Sequence, residues 1–287
     1  MTPYPTVFIM ESEIKKHYNS DHLTQNIKTA LIKAGKNISK LKPRDLSAID
    51  QLHTGGAIAS LELLKRINFS SDALVLDAGC GIGGSSRLIA EQFNCRVIGI
   101  DLADKFINAA NYLTKCTAQK DLVSFQQGSI LDLPFEENTF DAILCQHVLM
   151  NIKDKSKTIR EFFRVLKPGG NLILQEITKG ENHSVLFPVP WASSPAISFL
   201  ESWNFLAGIL EEQGFKTSSY SDKTSEACSW WEKVKAVSEK RNLPAKGLGP
   251  GLVFGSNARF FGKNMHANFK NNCLCLVEAV LKKSYDE

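Results

Sequence analysis
The amino-acid sequence predicts an α/β fold, a doubly wound parallel sheet with helices on both faces. Three observations carry that expectation. Short apolar runs alternate with helical patterns from Ala73 to Ile177, a glycine-rich turn joins the first run to the first helix, and the second run ends on an acid at Asp101.

The elements follow in chain order. Between Glu11 and about Lys40, Ile14, Leu23, Ile27, Leu31 and Ile32 are spaced for one or two amphipathic helices, expected to pack over a ligand site or against another subunit. Gly56 to Ile67 is a further helical stretch. Strand Ala73–Ala78, helix Gly84–Phe93, strand Cys95–Ile100, helix Ala103–Ala118, strands Leu122–Gln126 and Phe140–Gln146, helix Asp154–Leu166 and strand Asn171–Ile177 come next. Such alternation implies right-handed crossovers, with the ligand at the carboxyl ends of the strands. Lys167-Pro168-Gly169-Gly170 is read as a chain reversal, Pro168 stopping the helix. From Thr178 to Ser194 the pattern loosens into Gly, Pro and aromatic residues, as a substrate cap would. Helix Ile197–Gln213, strand Phe215–Tyr220, helix Ser225–Arg241, a glycine-rich loop Gly247–Gly255 and a seventh strand, Cys273–Leu281, complete the chain. The expected division is an N-terminal helical segment, 1–68, that contributes to the active-site cover, and a main domain, 69–287, with a cap at 178–222.

Composition bounds the function. The chain has 287 residues, 43% of them hydrophobic and 22% charged, as in an ordinary globular protein. Its 34 basic residues against 30 acidic ones are dispersed, which argues against nucleic acid or an anionic membrane as partner. Seven scattered cysteines fit a reduced, cytoplasmic protein. Cys273-Leu274-Cys275 lacks the His or Cys pair that would complete a metal site, so no metal is expected. Val7 to Met10 is far short of a signal segment, and no run of about 18 apolar residues occurs.

The turn Asp77-Ala78-Gly79-Cys80-Gly81-Ile82-Gly83-Gly84 fits two spacings. Gly79, Gly81 and Gly84 match the dinucleotide pattern GxGxxG, while Asp77, Gly79, Gly81 and Gly83 match the D-x-G-x-G-x-G of S-adenosylmethionine enzymes. A carboxylate at Asp77 sits poorly beside a pyrophosphate and well beside a cationic ligand. Asp101, about 20 residues on, suits a ribose in either case. The bland reading makes the glycines a tight turn and Asp101 a helix cap.

Together, Asp77 to Arg87, Asp50 to Gly56, Gln146 to Asn151 and Phe187 to Trp191 resemble a class I S-adenosylmethionine-dependent methyltransferase, specifically over Ala73 to Ile177. The glycine motif is similar to that of tocopherol methyltransferases, and the flanking stretches to those of sarcosine/dimethylglycine N-methyltransferase-like proteins. The resemblance implies a Rossmann-like seven-stranded sheet, mostly parallel with an antiparallel C-terminal strand, and S-adenosylmethionine as cofactor. It implies that Asp77, Gly79, Gly81 and Gly83 approach the methionine portion, Asp101 and Leu102 the ribose, Gly128, Ser129 and Ile130 the adenine, and Gln146 the transferred methyl. His147 is the first candidate base and His53 the second, since imidazole titrates near neutrality. Arg87 could reach the methionine carboxylate or form a surface salt bridge. Gln146-His147-Val148-Leu149 stands where enzymes that methylate nucleic-acid amines carry Asn/Asp-Pro-Pro-aromatic. The implied acceptor is therefore a small molecule, an amine of the sarcosine or dimethylglycine kind first, a phenol or quinol methylated on O or C second. A nicotinamide-dependent oxidoreductase and a non-catalytic S-adenosylmethionine-binding protein are the other readings; a homodimer is possible.

Overall fold
Seven strands form one sheet in the computed structural model, which describes residues 5–18, 22–182, 184–240 and 247–285. They are β1 (Leu74–Ala78), β2 (Arg96–Asp101), β3 (Val123–Gln127), β4 (Phe140–Gln146), β5 (Leu166–Lys179), β6 (Phe215–Asp222) and β7 (Leu274–Lys283), in the order β3-β2-β1-β4-β5-β7-β6. β7 runs antiparallel to both neighbours, and all pairs from β3 through β5 are parallel. Ala78 lies opposite Ile100 on β2 and Cys145 on β4. The glycine turn, Asp101 and Gln146 therefore leave the sheet at one edge, where the strand order reverses.

Helices α1 (Pro5–Tyr18), α2 (Leu23–Lys33), α3 (Ser47–Asp50) and α4 (Gly56–Leu64) precede β1; α5 (Gly84–Phe93), α6 (Asp104–Cys116) and α7 (Lys155–Val165) are the crossovers. The central strands are buried on both faces. Leu76, Ala78, Ile143 and Leu172 pack on Ile159 and Phe162 of α7, while Val75, Val97, Leu144 and Ile173 pack on Leu63, Leu64, Ile89 and Ala90. Each buried Leu, Ile, Val or Phe side chain among them contributes about 1.5–3 kcal/mol by leaving water. Leu23, Ile27 and Leu31 of α2 cover Phe106, Ala109 and Leu113 of α6, which fastens the N-terminal segment over the β3 end of the sheet.

Four elements depart from the sequence reading. The helix expected from Ile197 starts later, as α8 (Trp203–Glu212), where Ser202 Oγ accepts from Phe205 N at 3.3 Å. Pro195–Ile197 is one 3-10 turn, and Phe199 N donates to Met150 O instead of joining a helix. Lys167 to Gly170 is not a reversal: β5 pairs with Phe140 at Leu166 and with Ala142 at Asn171, the intervening residues forming an irregularity within the strand. After α9 (Thr224–Lys240), part of the expected glycine loop turns helical as α10 (Gly251–Phe254). An unanticipated α11 (Ala258–Lys270) then buries Phe261, Met265 and Phe269 against Trp231, Ile177 and Trp191. Arg241, the expected end of the helix before it, lies outside the described residues.

Candidate active site
A cavity of about 600 Å³ opens at the carboxyl ends of β1, β2 and β4. Its floor is the glycine turn. Gly79 N and Cys80 N donate to Ile100 O at 2.8 and 3.0 Å, which staples the turn to β2. Gly79 has φ +78, and a Cβ there would strike Val148; at Gly81, φ +54, a Cβ would meet nothing, so the backbone borders open space. Close approach of a ligand to main chain needs this.

Asp101 lies beside Gly81. Its Oδ2 accepts from Gly81 N and its Oδ1 from Ala103 N, both at 2.9 Å. Each oxygen keeps a further lone pair, an arrangement suited to two adjacent hydroxyls. Gly128 N donates to Asp101 O, so β3 delivers Gly128, Ser129 and Ile130 to the same wall. Ser129 Oγ donates to Glu11 of α1 at 2.6 Å. Asp77 is buried under the turn, accepts from Ser86 Oγ at 2.5 Å, and is pushed up to about 6 by burial.

Of the residues read from the sequence, His53, Asp77, Gly79, Gly81, Asp101, Leu102, Gly128, Ser129, Ile130, Gln146 and His147 line this cavity. Gly83 does not. It caps α5 at φ +82, with Phe125 and Arg87 filling the space a Cβ would take. Arg87 takes neither expected role: fully buried, it donates to Asp50 Oδ2 and Ile82 O at 2.8 Å and to Thr114 Oγ1 at 3.1 Å. A Cβ at Gly84 would run into the carbonyl of the same Asp50.

The two histidines face each other edge to face, ring centroids 6.1 Å apart. His147 has φ +54, and its N donates to Gln175 O at 2.8 Å. Burial, with His53 adding to it, holds His147 well below the ordinary imidazole range; burial also brings His53 down to about 4. Both shifts favour the neutral ring at neutral pH, below the range where imidazole ordinarily titrates. Ser60 Oγ lies 2.7 Å from His53 Nε2, and Gln146 Nε2 donates to Ser60 Oγ at 3.0 Å and to Gln175 Oε1 at 3.2 Å. Gln175 in turn donates to Glu278, which pairs with Arg66.

The cover comes from three directions. α1 supplies Glu11, Ile14, Lys15 and Tyr18; the loop after β5 supplies Pro190 and Trp191; α10 supplies Val253 and Phe254. Asn151 ties two of them together, its Nδ2 donating to Trp191 O and Ile197 O at 2.9 Å and its Oδ1 accepting from Tyr18 OH at 2.9 Å. Of the segment 178–222, Pro190 and Trp191 are the cavity-lining residues, whereas Phe215–Asp222 is a strand of the sheet. Tyr18, Val253 and Phe254 were not singled out in the sequence, because distant segments bring them together; Asn151 lies in the stretch Gln146 to Asn151 but was given no role there. No group of three or more His, Cys, Asp or Glu among the described residues could hold a metal ion, and no helix there is long and apolar enough to cross a membrane.

A family model described as a methyltransferase domain matches residues 76–174. An uncharacterized protein of Haemophilus influenzae is 30% identical over 172 residues, 58% of this chain and 67% of that one. The chain belongs to the class I S-adenosylmethionine-dependent methyltransferases. Phosphoethanolamine N-methyltransferase 1 of Zea mays is 34% identical to this methyltransferase over 126 residues, 44% of the chain. The match spans 25% of the length of that plant relative. The structure of geranyl diphosphate C-methyltransferase from Streptomyces coelicolor superposes with a TM-score of 0.70 at 16% identity, covering 99% of each chain, a likeness of fold.

Proposed function
We propose that this methyltransferase moves the methyl group of S-adenosylmethionine to a small molecule bound between the glycine turn and the histidine pair. The observation that carries the reading is Asp101, with lone pairs left over at the edge of a cavity whose glycine floor admits a ligand against the backbone. Those residues fit the cofactor: Asp101 and Leu102 for the ribose, Gly128 to Ile130 for the adenine, and Asp77, Gly79 and Gly81 for the cationic amino-acid end. When bound, the cofactor supplies a methyl group already activated by its sulfonium.

The chain's own task is alignment and exclusion of water. Tyr18, Asn151 and Trp191 close the cavity around the acceptor, and positioning of this kind can supply up to about 7–11 kcal/mol. Gln146 fixes Ser60 and, through it, His53. The maize relative's name, that of an N-methyltransferase, supports an amine acceptor, of the sarcosine or dimethylglycine kind first, with a phenol or quinol as the second reading.

The test has two arms. Calorimetry measures binding of S-adenosylhomocysteine and of NADH, and a radiolabelled-methyl assay covers glycine, sarcosine, dimethylglycine, phenols and quinols. Binding of the homocysteine nucleoside without NADH binding supports the reading. NADH binding alone overturns it in favour of hydride chemistry.

A further inference from the structure
Resting on that reading, the geometry points to Glu278, with Arg66, as a positioning residue for the cofactor's positive charge: acting through Gln175, it turns the amide of Gln146 so that the carbonyl oxygen, not the NH₂ group, faces the glycine turn. Gln146, Gln175 and Glu278 stand side by side at one register across β4, β5 and β7. Gln175 and Glu278 are buried, and the row ends in the ion pair with Arg66, just past α4.

The orientation of a side-chain amide is decided by what its neighbours can give or take. A carboxylate paired with a guanidinium can only accept, so the group that Gln175 points at Glu278 is its NH₂, 3.0 Å away. That leaves Gln175 Oε1 to accept from Gln146 Nε2 at 3.2 Å, and the same nitrogen donates to Ser60 Oγ at 3.0 Å. Ser60 Oγ also lies 2.7 Å from His53 Nε2, and a hydroxyl there can serve either tautomer of that ring, so the row fixes Gln146 without fixing His53. Gln146 Oε1 is then the atom turned to the head of α5, where Ser85 Oγ donates to it at 2.7 Å. Among the described residues the cavity-lining lysines, Lys15 and Lys153, make no hydrogen bond to this row, so Arg66 is the cation that sets its polarity.

A carbonyl oxygen on the cavity wall attracts a sulfonium, and an NH₂ group in its place repels one. Asp50, Asp77 and Asp101 line the cavity too, but their partners are Arg87, Ser86, Gly81 and Ala103, outside the row, so reversing the row leaves those carboxylates in place. Reversal has a defined trigger. In Glu278→Gln, Arg66 claims the new side-chain oxygen, the new NH₂ faces Gln175, and Gln175 and Gln146 each turn over. With Arg66→Met added, nothing claims that oxygen, and a bound cation favours the original direction.

The test compares, by calorimetry at pH 7.5, S-adenosylhomocysteine, uncharged at sulfur, with sinefungin, which carries an ammonium where the methylsulfonium would be. Binding of S-adenosylhomocysteine to the unmutated protein is read first; its failure strikes the methyltransferase reading, while side-chain amide NMR still decides the orientation. In Glu278→Gln the preference for sinefungin should fall about tenfold, with S-adenosylhomocysteine affinity kept within about twofold, and adding Arg66→Met should restore the preference. A merely structural role would weaken both ligands alike and would worsen in the double variant. Side-chain amide NMR of the unmutated protein should place the Gln146 NH₂ protons against Gln175 and not against Ser85. An unchanged preference, an equal loss for both ligands, no recovery in the double variant, or Gln146 NH₂ protons against Ser85 overturns the assignment.

Discussion

Arg87 and Asp50 form an ion pair of 2.8 Å with both side chains out of contact with water, 0% and 1% exposed. It joins the first turn of α5, directly behind the glycine motif, to the last residue of α3. The guanidinium also satisfies Ile82 O inside the turn, so the N-terminal segment helps set the shape of the floor on which a ligand would rest.

Removing one partner of that pair leaves the other charged and buried. Arg87→Met should therefore lower unfolding free energy by about 3–5 kcal/mol in denaturant titrations, and Arg87→Met with Asp50→Leu should recover part of the loss. Wild-type stability in the single variant would show that the pair holds nothing together.

Asp101→Ala removes the acceptor of two backbone N–H groups as well as the proposed ribose contact. Calorimetric affinity for S-adenosylhomocysteine should fall by about 1–3 kcal/mol. Unchanged affinity would remove Asp101 from the binding site.

Asn151→Ala deletes three hydrogen bonds that join the cover to β4's exit. The expected outcome is a stability loss of about 1–3 kcal/mol together with faster proteolysis between Pro188 and Ser198, read by limited digestion. Digestion at the wild-type rate would mean that the cover is anchored elsewhere.

Stability should fall in acid through His53. Its folded value, about 4, lies below the ordinary 6.5, so the unfolded chain takes up the proton first. Stability is complete above pH 6.5 and declines as pH falls towards 4, by about 3 kcal/mol from this residue. His53→Gln should flatten that part of the profile in chemical denaturation at stepped pH.

Asp77 works in the opposite sense. Its folded value, about 6, lies above the ordinary 3.8, so its favourable contribution is present at low pH and is lost as pH rises through 6. Relative to wild type, Asp77→Asn should be more stable at pH 8 than at pH 4.5 by about 2 kcal/mol. A difference that does not vary with pH would mean that the carboxyl is solvated.

The central sheet and the glycine turn were legible in the sequence because their signals are local. Helix Gly84–Phe93 and strand Phe140–Gln146 fall where periodicity places them, and Asp101 ends its strand as spacing requires. The ion pair was not legible, since Asp50 and Arg87 stand 37 residues apart and only the tertiary fold aligns them. α11 did carry a signal, Phe261, Met265 and Phe269 at four-residue spacing, which the neighbouring glycines obscured. The neutrality of His53 and His147 follows from burial, which no residue type announces.

The main-chain carbonyl of Asp50 occupies the room that any side chain at position 84 would claim. Cover and cradle are consequently one joint, not interchangeable modules. Exchanging the first fifty residues for those of a relative, to alter acceptor choice, would succeed only if the graft brought both a carboxylate for Arg87 and a main chain that passes equally close to Gly84.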